Sequence, residues 1–130
     1  MIVVDASALL EALLRTPAAE AVERRLFEPE QTLHAPHLLD VEVAQVVRRY
    51  ASAGEIDAER GRAALADLAD FPLRRYPHDF LLSRVWDLRT NLTAYDAVYV
   101  ALAEALDAPL ITRDQRLAAA AGHDARVELV

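Results

Sequence analysis

The sequence predicts an α/β fold in which a short parallel sheet carries helices on both faces. Short apolar runs alternate with longer amphipathic stretches, and the two strongest runs are apolar throughout. Strands covered on both faces read that way, whereas a strand with one wet face alternates. No repeat, low-complexity tract or linker interrupts the pattern. Residues 1–130 are therefore read as one domain, of a size that buries roughly two-thirds of its unfolded surface.

Strands are expected at Ile2–Val4, Thr32–Ala35, Leu73–Tyr76, Leu110–Thr112 and Val127–Leu129. Ser7 is the expected cap of the helix after the first strand. Thr16 followed by Pro17 reads as an N-cap with proline at N1, opening a second helix toward Phe27. A third helix runs from about Leu38 to Ala53, with Val43, Val46, Val47 and Tyr50 on one face and Gly54 as its C′ residue. Asp57 opens a fourth with Leu65, Leu68 and Phe71 at three-residue spacing, and Asp79 a fifth with Leu82, Val85, Trp86 and Arg89. Thr93 opens a sixth, whose Val98, Leu102 and Ala105 are expected to face inward, and a short last helix ends near Gly122. In such folds sites lie beyond the carboxyl ends of the strands, where the strand order reverses. Asp5 leaves the first strand at such an end, and Asp114 in "PLITRDQR" leaves the fourth in the same way.

Composition removes several chemistries. With no cysteine, thiolate catalysis, Cys-ligated zinc and disulfides are excluded, and a cytoplasmic setting is expected. No apolar run approaches the ~20 residues of a membrane span, and the start lacks the basic segment of a signal peptide. All 14 basic residues are Arg, so Schiff-base chemistry and lysine-dependent phosphate sites are excluded. The three glycines, Gly54, Gly61 and Gly122, form no phosphate-binding loop. A net charge of −7 argues against a broad basic nucleic-acid face, but not against a nuclease whose metal ions supply positive charge locally. The four histidines show no ligand spacing and read as structural or surface residues, Tyr99 as core, and Tyr95 as a neighbour of the site.

Each acid of interest has an ordinary explanation. Asp5 sits where the dipole of a helix N-terminus favours it, Asp114 where it caps the last helix, and Asp96 three residues after Thr93 as in a capping box. Glu42 and Asp40 lie close to a helix start. Their convergence points to function. Carboxylates ~5 Å apart at an effective dielectric of ~20 repel by roughly 3 kcal/mol per pair, so a cluster calls for protons or a cation. Oxygen ligands without His or Cys suit Mg²⁺ or Mn²⁺.

Four stretches carry a family resemblance: "IVVDASAL", "LLDVEVAQVVRR", "LTAYDAVYVALAE" and "PLITRDQRLA", in that order. With them the chain resembles a PIN domain over essentially its whole length, and within that group the VapC toxin ribonucleases. The resemblance implies a PIN-like three-layer sandwich with sheet order 3-2-1-4-5. It places the family's acidic metal and catalytic site on Asp5, Glu42, Asp96 and Asp114, with supporting hydroxyls on Ser7 and Thr112. Some relatives carry a further acid shortly after the fourth; Gln115 and Arg116 stand in those places here, which bears on a second metal position. The implied activity is Mg²⁺-dependent endoribonuclease cleavage, with Mn²⁺ as substitute, leaving a 5′-phosphate and a 3′-hydroxyl. The implied partners are a small antitoxin, an RNA substrate and a second copy in a homodimer. The RNA-binding candidates are Arg113 and Arg116, which flank Asp114, with Arg15 and Arg89 behind them; each reads equally as a solvated or acid-paired surface arginine. Two rivals stand beside the nuclease: a PIN-like binding module without catalysis, and an Asp5-based phosphatase or phosphoacceptor, which the missing lysine opposes.

Overall fold

The computed structural model describes all 130 residues. Five strands, β1 (Ile2–Val4), β2 (Leu33–Pro36), β3 (Leu73–Tyr76), β4 (Leu110–Thr112) and β5 (Val127–Leu129), form one parallel sheet in the order β3-β2-β1-β4-β5. Val3 stands opposite His34 on one side and Leu110 on the other, so β1 is central and flanked on both edges. Every residue of β1, β2 and β4 is buried, which explains why they read as short continuous or nearly continuous apolar runs.

Seven helices connect them: α1 (Ala6–Leu14), α2 (Ala19–Leu26), α3 (Leu38–Ser52), α4 (Ala58–Asp70), α5 (Leu82–Asp87), α6 (Ala94–Leu106) and α7 (Gln115–Ala119). The chain steps from β1 to β2 to β3 through α1–α4, then crosses back over β1 and β2 through α5 and α6 to reach β4. Right-handed crossovers therefore put α1–α4 on one face and α5–α7 on the other. The order reverses between β1 and β4, and the carboxyl ends of these two strands lie side by side there.

The sheet order and most element positions agree with the sequence-based expectation, and the departures have local causes. Asp5, not Ser7, caps α1. Asp5 is extended (φ −89°, ψ 168°) and its Oδ1 accepts from the Ala8 amide at 3.2 Å, while Ser7 already lies inside the helix. The second helix starts at Ala19 rather than Pro17, because the Thr16 hydroxyl is engaged by Glu11 and its carbonyl closes a turn with Ala19 instead. The fifth helix begins as a 3-10 turn at Asp79–Leu81, and α5 is too short to bury both flanks, so Leu82 and Trp86 face solvent. On α4, Leu68 is 4 % exposed but Leu65 38 %, so the inward stripe is narrower than its spacing implied. Ala105 likewise lies on the outer face of α6. Strand β2 is displaced by one residue, and α7 stops at Ala119, short of Gly122.

Gly54 follows α3 with φ +75°, the left-handed conformation that a C′ position requires. Asp40 is held by the Arg75 guanidinium at 2.8–3.0 Å, while other nitrogens of Arg75 reach the carbonyls of Leu68 and Leu73. That fork ties α3, α4 and β3 together and gives Asp40 a structural role.

Leu68→Ala should cost ~2–5 kcal/mol in denaturant unfolding, as for a buried leucine losing its packing, while Leu65→Ala should cost under ~1 kcal/mol.

Candidate active site

Asp5 is 6 % exposed at the carboxyl end of β1, one of three buried polar side chains with His34 and Thr112. An ionised carboxylate taken out of water must find donors. Its Oδ1 accepts from the Ser7 hydroxyl at 2.6 Å and the Ala8 amide, and its Oδ2 from the Thr112 hydroxyl at 2.7 Å. The two hydroxyls accept in turn: Ser7 Oγ from the Arg113 amide and Thr112 Oγ1 from the Asp114 amide, both at 2.9 Å. Through these bonds the buried charge on β1 sets the course of the chain leaving β4.

Asp114 follows directly and caps α7, its Oδ1 accepting from the Arg116 amide at 2.8 Å and the Leu117 amide at 3.4 Å. Asp96 sits in the first turn of α6, where Thr93 caps the helix by accepting from the Asp96 amide at 3.2 Å. Half of the anticipated capping box is thus present, made by the Asp96 backbone. Glu42 projects from α3, and its Oε1 accepts from the Tyr99 hydroxyl of α6 at 2.5 Å. In Glu42 and Asp114 the protein's donors engage one oxygen and leave the other without a protein partner.

The four acids sense one another. Burial holds the Asp5, Glu42 and Asp96 carboxyls above the ordinary range. The negative charge of Asp96 adds to the rise at Asp5, Asp5 and Asp96 add to it at Glu42, and Asp114 adds to it at Asp96. The hydroxyls of Ser7 and Thr112 oppose it at Asp5, as does that of Tyr99 at Glu42. No three His, Cys, Asp or Glu side chains stand at ligand spacing, so the acids face one another without forming a closed shell. Their chemistry still fits a hard divalent cation: the donors are all carboxylate, repel each other, and in Glu42 and Asp114 keep one oxygen without a protein partner.

The supporting arginines divide. Arg113 borders an open groove of about 600 Å³ with Ser7, Glu11, Glu42, Val46 and Tyr95, and its Nη1 donates to the Val130 carbonyl. Arg116 is exposed, 3.8 Å from Asp114, and its charge lowers the Asp96 carboxyl against the larger effects of burial and Asp114. Arg15 is the left-handed C-cap of α1, whose rise of ~1.5 Å per residue carries it ~15 Å from Asp5. The Arg89 guanidinium lies 4.4 Å from the centre of the Trp86 ring and donates to the Trp86 carbonyl. His34 is a satisfied core residue, bonded to Thr32 and Tyr76 at 2.8 and 2.7 Å. Tyr99 is core by burial, but its bond to Glu42 went unread in the sequence; its place three residues after Asp96, on the same helix face, was the available signal.

Comparison with known proteins bears on the family and the fold. The PIN domain family model matches residues 2–123. Ribonuclease VapC1 of Mycobacterium tuberculosis is 49% identical over 129 residues, covering 98% of this chain and 96% of that protein. The structure of VapC20 from Mycobacterium tuberculosis, a sarcin–ricin loop cleaving toxin, superposes with TM-score 0.71 at 15% identity, covering 95% of this chain and 97% of that one. VapBC2 from Rickettsia felis, bound to a DNA fragment from its promoter, gives TM-score 0.73 at 16% identity, with 99% and 98% covered.

Thr112→Val keeps the shape but removes the donor to Asp5 and the acceptor for the Asp114 amide. It should cost ~1–3 kcal/mol in denaturant unfolding. A carboxyl whose pKa rises on folding contributes stability that is complete at acid pH, below its unfolded value, and lost as pH climbs through the raised native one. Asp96→Asn should therefore raise the melting temperature near neutral pH, with the gain shrinking on acidification; melting curves across that window check it.

Proposed function

Because the chain belongs to the PIN domain family, and within it to the VapC ribonucleases, we propose that it is a divalent-metal-dependent endoribonuclease acting as the toxin of a toxin–antitoxin pair. The observation that carries the metal-dependent reading is the buried Asp5 at the switch point, under the negative charge of Asp96 and itself raising the Glu42 carboxyl. A fold whose acids had only capping duties would have no reason to aim three destabilised carboxyls at one strand end.

Asp5 and Asp96 would hold Mg²⁺ or Mn²⁺ directly or through water, with Asp114 and Glu42 completing the ring. When bound, such an ion supplies acidified water, polarised phosphoryl oxygens and charge compensation for the leaving oxygen. The chain's own residues prepare this. Ser7, Thr112 and the Ala8 amide hold the Asp5 carboxylate in one orientation. The two α7 amides that bond Asp114 Oδ1 direct its other oxygen away from the helix. Arg113 and Arg116 supply positive charge at the rim for phosphate contacts, with Arg15, at the far end of α1, and Arg89, stacked on Trp86, as candidates for contacts further along the RNA. Acid-assisted hydrolysis of this kind does not use the ribose 2′-hydroxyl as nucleophile, so preference for RNA rests on groove shape and arginine contacts.

The antitoxin reading draws support from the likeness to VapBC2 and from the groove beside the acids. Its walls combine Leu10, Leu38 and Val46 with Glu11 and Glu42, which fits a segment with apolar side chains and a basic tip. Self-association as a homodimer belongs to the same proposal, and the exposed Leu82 and Trp86 offer apolar surface for it.

The purified protein should cut an RNA pool only with Mg²⁺ or Mn²⁺. EDTA should abolish cleavage, and Asp5→Asn and Asp96→Asn should each reduce it at least ~100-fold. Cleavage that survives EDTA or both substitutions would remove the metal-dependent assignment.

A further inference from the structure

Tyr99 is 2 % exposed in a stretch of α6, Ala97–Ala103, that is buried on every side and otherwise wholly aliphatic. Packing alone would be satisfied by phenylalanine. The phenol instead reaches out of α6 to Glu42 on α3, a neighbour 57 residues away in sequence. One hydroxyl therefore links α6, which carries Asp96, to α3, which carries Glu42.

Glu42 is the acid that most requires such a restraint. Its side chain is long, sits beside an open groove, and feels the repulsion of both Asp5 and Asp96. Left free, a flexible carboxylate in that position swings toward water, away from its like charges. Tyr99 is suited to oppose this: burial and the neighbouring Glu42 charge push its pKa upward, so the hydroxyl keeps its proton and acts only as a donor toward Glu42.

Resting on the ribonuclease reading above, we infer that Tyr99 is a positioning residue, whose hydroxyl holds Glu42 at the acid cluster with one oxygen left for the site. It touches neither the substrate nor the reacting atoms, and it acts through Glu42.

The test compares the full-length wild type with Tyr99→Phe, which keeps the ring and removes the hydroxyl. Two readouts are needed: the melting temperature in EDTA and in Mn²⁺, and kcat and KM on an RNA oligonucleotide. The expected result is an EDTA melting temperature unchanged or raised and a smaller Mn²⁺-induced rise. It also includes a kcat reduced about ten-fold at unchanged KM, recovering as Mn²⁺ is increased, as for loss of a group that orients a ligand. An unaltered Mn²⁺ response and kcat would overturn the inference, and so would an equal fall in melting temperature with and without the ion, the mark of a packing role.

If Tyr99→Phe fails to fold, the double variant with Glu42→Ala leaves no unpaired partner and should match Glu42→Ala alone in its Mn²⁺ response; a further loss overturns the inference. Should the wild type cut no RNA while Tyr99→Phe still weakens the Mn²⁺ response, the ribonuclease reading fails and the positioning role of Tyr99 stands.

Discussion

The structure depends on the solvation of one charge. Asp5 is withdrawn from water at the end of the central strand, where an unpaired carboxylate would be intolerable. Three donors and the amino end of α1 replace its water. Two of those donors, Ser7 on α1 and Thr112 on β4, pass the constraint on through their own acceptor oxygens. The chain after β4 is therefore routed by the requirements of a residue at the end of β1, and Asp114 arrives beside Asp5 for that reason.

The same arrangement opposes stability. Burial and mutual repulsion raise three carboxyls on folding, so at neutral pH each is less comfortable in the native state than in the unfolded chain. Folded proteins tolerate such sites where function calls for them and other contacts offset the cost. Here the offset comes from the apolar sheet core and from arginines paired with other acids of the same helices, Arg75 on Asp40 at 2.8–3.0 Å and Arg84 on Glu104 at 2.8–2.9 Å. Arg113 and Arg116 stand at the mouth of the site, 3.9 Å from Glu11 and 3.8 Å from Asp114.

Much of this was legible in the chain itself. Fully buried parallel strands announce themselves as short apolar runs, and Asp57, Thr93, Asp114 and Gly54 mark helix ends through local backbone chemistry. Sheet order came from family resemblance, because strand pairing is a long-range property that periodicity does not encode. The errors share one cause. Spacing gives Ser7, Thr16 and Leu65 the nearest suitable role, while their actual surroundings differ: Asp5 outreaches Ser7 for the cap, Glu11 takes the Thr16 hydroxyl, and the core ends before Leu65. Arg15 ends α1, about 15 Å from Asp5 at ~1.5 Å per residue, and Arg89 stacks on Trp86; charge alone does not reveal either placement. The bond from Tyr99 to Glu42 joins residues distant in sequence, and only the face of α6 that Tyr99 shares with Asp96 hints at it.

The central claim is that the carboxylates around Asp5 gather to hold a divalent cation. Anomalous diffraction from crystals soaked in Mn²⁺ tests it most directly. Strong anomalous density is expected among the oxygens of Asp5, Asp96, Asp114 and Glu42, lost in crystals of a variant lacking the Asp5 and Asp96 charges. A featureless map at that strand end, or manganese bound only elsewhere on the surface, would contradict it.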